Sequence, residues 1–238
     1  KQLSYAIETR IAKASDYAYQ SNKEVDVENN YDIDLVAKLQ ECVSDTTQFF
    51  VLHTMGSHFR YEYRYPAEFE QFTPVMGKSF SYLGISEENK SEFINAYDNT
   101  ILYLDYFLNE LIEYVDGLNR SAVIVYISDH GESFWDDDKK LSLHGSYEIS
   151  KYEFHVPMLV WYSDEYQLNN SQKVENIRQN KAKTISSDAI FYSMLDIAGI
   201  KEVTDSTKSI CSEYLQPIDS VWVFNGQGKT KQVSLKNF

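Results

Sequence analysis

The sequence has 238 residues, of which 43% are hydrophobic and 24% are charged, and its formal net charge is −14. This composition is typical of a globular domain with a substantial core and excludes a disordered or collagen-like chain. The acidic balance argues against a nucleic-acid-binding groove, which needs clustered lysine and arginine.

No apolar run approaches the ~20 residues that span a bilayer. The first residues, Lys1 to Tyr5, form neither a signal peptide nor a natural start with Met. We therefore expect the chain to begin within a longer protein, with any membrane anchor before it. Two cysteines, Cys42 and Cys211, are too few for a disulfide scaffold, and the sequence leaves open whether they pair.

Helical and strand patterns alternate along the chain, which predicts an α/β fold with a largely parallel central sheet flanked by helices. In chain order, the predicted elements are a helix at 32–42, a strand at 48–52, a helix at 87–116, buried strands at 122–127 and 156–162, a polar loop at 163–184, a helix at 187–198, and a hairpin of strands 221–224 and 232–235 around the turn 225–228. No boundary is evident between them, so we expect a single domain over residues 1–238.

The helix at 87–116 has the clearest periodicity, because apolar residues recur at steps of three and four and predict one buried stripe. These residues are Ile94, Tyr97, Ile101, Leu104, Leu108, Leu111 and Val115. Ser86 is placed to cap the start of this helix, and Gly117 is placed to end it in the left-handed conformation. Ser187 and Gly199 are placed in the same way around the helix at 187–198.

Four of the five histidines follow the C-terminal ends of predicted strands, which is the edge of an open α/β sheet where ligand sites lie. His53 and His58 follow the strand at 48–52, His130 follows Asp129 at the end of the next strand, and His144 comes shortly afterwards.

A carboxylate beside an imidazole offers two ligands of the type that zinc or manganese accepts. We expect Gly131 to let the backbone turn so that side chains near Asp129 and His130 converge. Alone, such a pair is more often a turn cap beside an incidental histidine. With His58 and His144 on adjacent loops, a metal site is the stronger interpretation.

Other polar and aromatic residues of these loops have alternative roles. Glu132 is either an orienting partner of His130 or a solvated carboxylate. His53 is interpreted as a partner of loop backbone, and His155 as structural. The aromatic residues 59–65 line a lipid or sugar groove, or they pack in the core. The acidic residues 136–138 are interpreted as an exposed turn.

Four segments together resemble bacterial phosphoethanolamine transferases, the enzymes of the sulfatase and alkaline-phosphatase superfamily that modify lipid A or lipopolysaccharide core sugars. The segments are Phe49–Pro74, Ala96–Tyr106, Ser128–Ser133 with His144-Gly145, and His155–Trp161, and their order fits the family from about residue 30 to residue 200. The resemblance implies an alkaline-phosphatase/sulfatase-like fold of which this chain is the C-terminal part. It also implies a location at the bacterial inner membrane, with the catalytic domain facing the periplasm.

The resemblance further implies that Asp129 and His130 are ligands of a catalytic zinc ion, with manganese or magnesium as alternatives. It implies that His58 and His144 are catalytic residues that contact the transferred phosphoryl group or a second metal. The family supplies an acidic ligand and the nucleophilic Thr from a region before residue 1, so we expect the chain alone to be inactive.

The implied donor is phosphatidylethanolamine and the implied acceptor is lipopolysaccharide, with membrane attachment through the absent N-terminal region. Lipid A-modifying members usually have Gly-Pro where this chain has Phe59-Arg60. This difference favours a core heptose acceptor. Two alternatives stay open: a phosphoglycerol transferase or sulfatase of the same superfamily, and a non-catalytic relative that binds lipid head groups or a protein partner.

Overall fold

A computed structural model describes residues 2–4, 18–20, 31–77, 84–148, 150–201, 205–224 and 228–236 of the chain. The chain forms two compact units, Lys1–Tyr114 and Val115–Phe238. The expectation of a single domain stays a prediction.

Among the residues that the structure describes, the first unit contains a three-stranded parallel sheet. Its strands are β1 (Gln2–Ser4), β2 (Ala18–Gln20) and β3 (Val51–His53), in the order β2–β1–β3. Both neighbours run parallel to β1, as predicted. Helix α1 (Asp34–Cys42) lies between β2 and β3 in the sequence, which is the crossover that parallel strands require. Because β3 ends on His53, this histidine lies at the carboxyl end of the strand, and the loop that carries His58 starts there.

Helix α2 (Lys90–Gly117) follows a 3-10 turn at Glu87–Asn89. Ser86 is the N-cap residue of this turn, as predicted, and it forms a capping box with Asn89, whose Oδ1 accepts from the Ser86 backbone N–H at 3.0 Å. Gly117 is not left-handed, which corrects the prediction; Asn119 takes that conformation instead, with φ of 51°.

The buried face of α2 differs from the predicted stripe by about one residue. Ile101, in the middle of the predicted stripe, is 41% exposed. The buried residues are Phe93, Ala96, Asn99, Thr100, Tyr103, Phe107 and Leu111. Aromatic contacts explain the rotation: the Phe93 ring lies 5.6 Å from the Tyr61 ring, and the Tyr103 ring lies 4.9 Å from the Phe69 ring. Tyr61 and Phe69 belong to the short 3-10 turns Tyr61–Tyr63 and Ala67–Phe69.

The second unit contains the antiparallel pair β4 (Val123–Ile127) and β7 (Met158–Tyr162), in which Ile127 lies opposite Met158. The prediction of a largely parallel sheet is wrong for this pair. The intervening chain returns beside the end of β4, so β7 starts where β4 stops and must run the opposite way. Both strands are largely half-buried, whereas complete burial was predicted.

Three short elements lie between β4 and β7: strands β5 (Ser133–Phe134) and β6 (Ser142–Leu143), which pair antiparallel, and helix α3 (Lys151–Phe154).

The predicted polar loop at 163–184 contains two helices, α4 (Asp164–Asn169) and α5 (Ser171–Asn180). Ser163 caps α4, since its Oγ accepts from Tyr166 N at 3.1 Å. Tyr166 and Val174 anchor the two helices because both side chains are buried. The polar composition of the segment concealed these few apolar anchors.

Helix α6 (Ala189–Ile197) and the antiparallel hairpin of β8 (Ser220–Phe224) and β9 (Thr230–Ser234) agree with the prediction. Residues 225–227 of the predicted turn lie outside the described residues. Gly199 ends α6 with φ of 75°, as predicted, but Asp188 rather than Ser187 occupies the N-cap position.

A small core in this unit consists of Ile210, Cys211 and Leu215, packed by residues that include Met158 and Val160 of β7. Both cysteines of the chain are free thiols. Among the described residues, no helix has the length and apolar character needed to cross a membrane.

Candidate active site

The β5–β6 hairpin places Glu132 and His144 opposite one another. Ser133 pairs with Leu143 in this ladder, so the residues just outside that pair face each other across the two strands. Glu132 Oε1 lies 3.0 Å from His144 Nδ1, and the carboxylate is buried whereas the imidazole is partly exposed. Because a carboxylate only accepts, this contact assigns the proton to Nδ1 of His144 and leaves the lone pair on Nε2.

His130 lies on the loop after β4 and has the same tautomer. Its Nδ1 is 2.9 Å from the carbonyl oxygen of Gly131, which can only accept, so Nε2 again keeps the lone pair. The ring centroids of His130 and His144 are 3.9 Å apart. Two imidazoles therefore stand side by side, each with its Nδ1 engaged and its Nε2 able to bind a metal ion or accept a proton.

Asp129 lies next to this pair with a side chain that is 87% exposed. Its Oδ1 accepts from the backbone N–H of His130 at 3.0 Å and lies 4.0 Å from His130 Nε2. Two ligand atoms, each ~2.0–2.2 Å from one zinc ion, are at most ~4.3 Å apart. Asp129 and His130 can therefore reach a common ion.

His130, Glu132 and His144 also each bring one ligand atom to within 4.8 Å of the others. Two imidazoles and a carboxylate are a donor set that zinc takes in proteins. Glu132 was expected either to orient His130 or to be solvated. The structure corrects both alternatives, because the carboxylate is buried and its hydrogen-bonding partner is His144.

Glu153 of α3 ties the two histidine loops together, and sequence reasoning missed it. Its backbone carbonyl accepts from Gly131 N at 2.8 Å, and its Oε2 accepts from Gly145 N at 3.0 Å. Ser133 Oγ donates to its Oε1 at 3.4 Å. No local motif marks Glu153, since its partners lie far away in the sequence.

Gly131 is required by a close approach of backbone rather than by the sharp turn that was expected. A Cβ atom at this position would lie 2.1 Å from the carbonyl oxygen of Tyr152. Residue 131 therefore has to be glycine for the His130 loop to pack against α3.

His58 lies in the first unit, on the loop after β3, and its side chain is exposed. Its Nδ1 is 3.1 Å from the carbonyl oxygen of Phe59, which again leaves the lone pair on Nε2. Arg64 is buried and donates from Nε to the His58 carbonyl at 3.1 Å and from Nη2 to the Phe59 carbonyl at 3.0 Å. The assignment of His58 to one site with His130 and His144 stays a prediction.

The other residues singled out in the sequence are distinguished by their exposure to solvent. His53 and His155 are exposed. Tyr61 and Tyr65 are buried, so the core interpretation holds for them and the groove interpretation does not. The acidic residues 136–138 form the largely exposed bend between β5 and β6.

The sequence matches the Sulfatase family over residues 4–200. It is 36% identical over 156 residues to the Kdo(2)-lipid A phosphoethanolamine 7''-transferase of Escherichia coli (strain K12), a match that covers 63% of this chain and 26% of that protein. The chain thus spans about a quarter of the length of this relative.

The solved structures that share the fold include a periplasmic domain and an integral membrane protein. The C-terminal periplasmic domain of EcEptC from Escherichia coli, in complex with Zn, has a TM-score of 0.82 at 22% identity, and the match covers 99% of this chain and 68% of that one. The integral membrane protein lipooligosaccharide phosphoethanolamine transferase A (EptA) from Neisseria meningitidis has a TM-score of 0.71 at 23% identity, covering 88% of this chain and 41% of that one. The expected alkaline-phosphatase/sulfatase-like fold is confirmed. The chain belongs to the Sulfatase family.

Proposed function

We propose that this chain is part of the catalytic domain of a phosphoethanolamine transferase that modifies lipopolysaccharide. The observation that carries the proposal is the pairing of His130 and His144, whose rings lie 3.9 Å apart beside Asp129. The relative that is 36% identical is named as a transferase of this kind, which supports the choice of reaction. The family match runs through both compact units, which supports one catalytic domain over residues 1–238.

Asp129 and His130 are the residues that would hold a zinc ion. Imidazole and carboxylate donors together suit zinc, whereas magnesium favours oxygen donors alone. A solved relative in complex with Zn supports zinc over manganese as well, so we propose zinc. When bound, zinc lowers the pKa of a coordinated hydroxyl and neutralises charge on phosphoryl oxygens. Structural and catalytic zinc sites take three or four protein ligands, so an acidic residue and a Thr before residue 1 complete the site in this proposal.

In the proposed reaction, the Thr oxygen first attacks the phosphorus of phosphatidylethanolamine, and the diacylglycerol oxygen leaves and takes up a proton. A sugar hydroxyl or phosphate of the lipopolysaccharide then attacks the phosphorus of the phosphoethanolamine group on Thr. The bond from phosphorus to the Thr oxygen breaks, and the Thr oxygen takes up the proton that a hydroxyl acceptor gives up. The Nε2 of His144 is placed to accept and return a proton, because Nδ1 is engaged by Glu132. Glu132 then stabilises the imidazolium that forms, because its carboxylate already accepts from Nδ1. His58 is the second candidate for this role and for contact with the phosphoryl group.

The two lipid substrates place the proposed reaction at a bilayer, on the periplasmic face of the bacterial inner membrane. The names of the solved relatives, a periplasmic domain and an integral membrane protein, support this location. Attachment to the membrane belongs to the region before residue 1 in this proposal, as the integral membrane relative suggests. The net charge of −14 supports the absence of a nucleic-acid partner.

The test uses the purified full-length protein with phosphatidylethanolamine and lipopolysaccharide, and mass spectrometry detects the modified product. His130→Ala should lose both zinc and transfer. His144→Ala should keep zinc and lose transfer by about 10²–10⁴-fold, the usual contribution of a general acid–base residue. Asp138→Asn, at the exposed bend between β5 and β6 in the same unit, should match the wild type.

Normal transfer by a zinc-depleted His130→Ala protein would overturn the proposal. Hydrolysis of an aryl sulfate without phosphoethanolamine transfer would favour the sulfatase alternative. Binding of phosphatidylethanolamine vesicles without any turnover would favour the non-catalytic alternative.

A further inference from the structure

Asp32 is a buried carboxylate in the turn that leads into α1, with only 7% of its surface exposed. Its two oxygens accept from two successive backbone N–H groups of the loop after β3: Oδ1 from Met55 and Oδ2 from Gly56, both at 2.8 Å. Burial raises the pKa of this carboxyl, and the two N–H groups and the charge of Arg64 oppose that rise. A buried charge is costly unless it is fully hydrogen-bonded, so this contact has to be maintained by the surrounding structure.

The contact determines the conformation of the loop that carries His58. Gly56 is left-handed, with φ of 53°, and the N–H of His58 donates to the carbonyl of Met55 at 3.2 Å. These two features close a tight turn from Met55 to His58. Asp32 holds the first two residues of that turn, and His58 is its last residue.

Arg64 holds the same loop from its carbonyl side. Arg64 is 8% exposed, and its guanidinium binds the carbonyls of His58 and Phe59. The loop is therefore held between a carboxylate on its N–H groups and a guanidinium on its C=O groups. His58 itself is exposed, so its ring depends on this backbone support for its position.

We propose that Asp32, together with Arg64, is a positioning residue for His58. This inference rests on the proposed function, in which His58 contacts the transferred phosphoryl group. A carboxylate at residue 32 is needed because both of its oxygens accept. In Asn, one oxygen is replaced by an NH₂ group that points its hydrogens at a backbone N–H.

The test compares full-length Asp32→Asn and Arg64→Lys with Asp34→Asn, which alters an exposed acid two residues away. Three quantities are measured: hydrogen–deuterium exchange of peptides covering 54–59 and α2, zinc content, and kcat and KM for phosphoethanolamine transfer. In Asp32→Asn, exchange at 54–59 should rise while that of α2 stays unchanged. The kcat should fall at least about tenfold at an unchanged KM, because a ~1 Å misplacement of a catalytic group costs ~10²-fold. Zinc content should stay the same, and Asp34→Asn should match the wild type.

Wild-type kcat in an Asp32→Asn protein whose loop exchanges faster would overturn the inference, and so would unchanged exchange of the loop. Loss of protection in both the loop and α2 would show a structural role instead. If Asp32→Asn does not fold, loop exchange and kcat are measured for Arg64→Lys, and the same outcomes support or overturn the inference. Lysine keeps the positive charge but lacks the planar guanidinium that binds two carbonyls. If the wild-type protein shows no transfer, the proposed function fails, while hydrogen exchange still shows whether Asp32 determines the loop.

Discussion

Glu132 and His144, separated by 12 positions in the sequence, form a hydrogen bond of 3.0 Å between Oε1 and Nδ1. The carboxylate side chain is 4% exposed and the imidazole 37% exposed, so a buried acid orients a histidine that solvent and ligands can reach. A carboxylate in this position selects the imidazole tautomer and restrains the ring.

Replacing Glu132 with Ala should therefore lower kcat for the proposed phosphoethanolamine transfer by about 10–100-fold, the usual cost of removing such an orienting carboxylate. Glu132→Gln should lose less, because its side-chain oxygen can still accept from His144 Nδ1. Steady-state kinetics on the full-length protein measure both effects, with Asp138→Asn at the exposed bend of the same hairpin as the control. Equal kcat in Glu132→Ala and the wild type would exclude the orienting role.

Gly131→Ala should destabilise the protein by about 1–3 kcal/mol, the usual cost of overpacking. The reason is that the added Cβ would lie 2.1 Å from the Tyr152 carbonyl oxygen, so the backbone of the His130 loop has to shift. Urea unfolding measures the change. Gly117→Ala is the matched control, because a Cβ there meets no atom within 4 Å and alanine favours a helix by about 1 kcal/mol. An unchanged free energy of unfolding in Gly131→Ala would show that α3 can move away from residue 131 without loss of stability.

Asn99 of α2 is completely buried, and its side chain forms hydrogen bonds with the backbone of the neighbouring loop. Its Oδ1 accepts from Gln71 N and Phe72 N, both at 2.9 Å, and its Nδ2 donates to the Phe72 carbonyl at 2.9 Å. Asn99→Ala removes the printed partner of the Phe72 N–H and carbonyl, whereas the Gln71 N–H also donates to the Phe69 carbonyl. The variant should cost about 2–4 kcal/mol, at ~1–3 kcal/mol for each buried group left unsatisfied.

Thermal and urea unfolding test this value. Asn109→Ala, on an exposed part of the same helix, should stay within about 0.5 kcal/mol of the wild type. Similar losses in the two variants would mean that the buried hydrogen bonds contribute little.

Burial raises the pKa of the Cys211 thiol to about 12 from an ordinary value of 9.0. As pH rises above 9, the thiol ionises first in the unfolded chain, so the unfolded chain is favoured. The free energy of unfolding should therefore fall between pH 9 and pH 12, by about 1.4 kcal/mol per pH unit relative to Cys211→Ala.

Urea unfolding at pH 8, 9 and 10 gives the slope of the free energy of unfolding against pH for the wild type and for Cys211→Ala. Iodoacetamide at pH 9 should modify half-buried Cys42 in the native protein and leave Cys211 unmodified until urea is added. Parallel slopes, or equal labelling of the two thiols in the native protein, would contradict the assignment.

The chemistry-bearing segments could be predicted from sequence because their signals are local. Asp129 and His130 follow a β-branched run, and this run forms β4. The extent of α2 and the end of α6 at Gly199 follow from periodicity and from the conformational freedom of glycine, which a short window of sequence contains.

Other features could not be predicted, because they depend on which distant groups meet. Asn99 and Thr100 interrupted the apolar pattern of α2 and were placed outside the predicted stripe. Both are buried, because Asn99 binds the loop at Gln71 and Phe72, and Thr100 Oγ1 lies 2.6 Å from Ser57 Oγ. A polar residue is buried when a partner satisfies its hydrogen bonds, and the partner is not encoded in the helix itself.

The sequence by itself determined the family, the long helix and the histidine-bearing loops, since these rest on composition, periodicity and short motifs. Only the tertiary structure decided that Glu132 orients His144, that Glu153 joins the two loops, and that β4 and β7 run antiparallel. Each of these features depends on the path of the segments that connect the helices and strands. Hydrogen-bond partners and strand directions are selected by the folded chain as a whole, because burial in the assembled protein determines which polar groups must find one another.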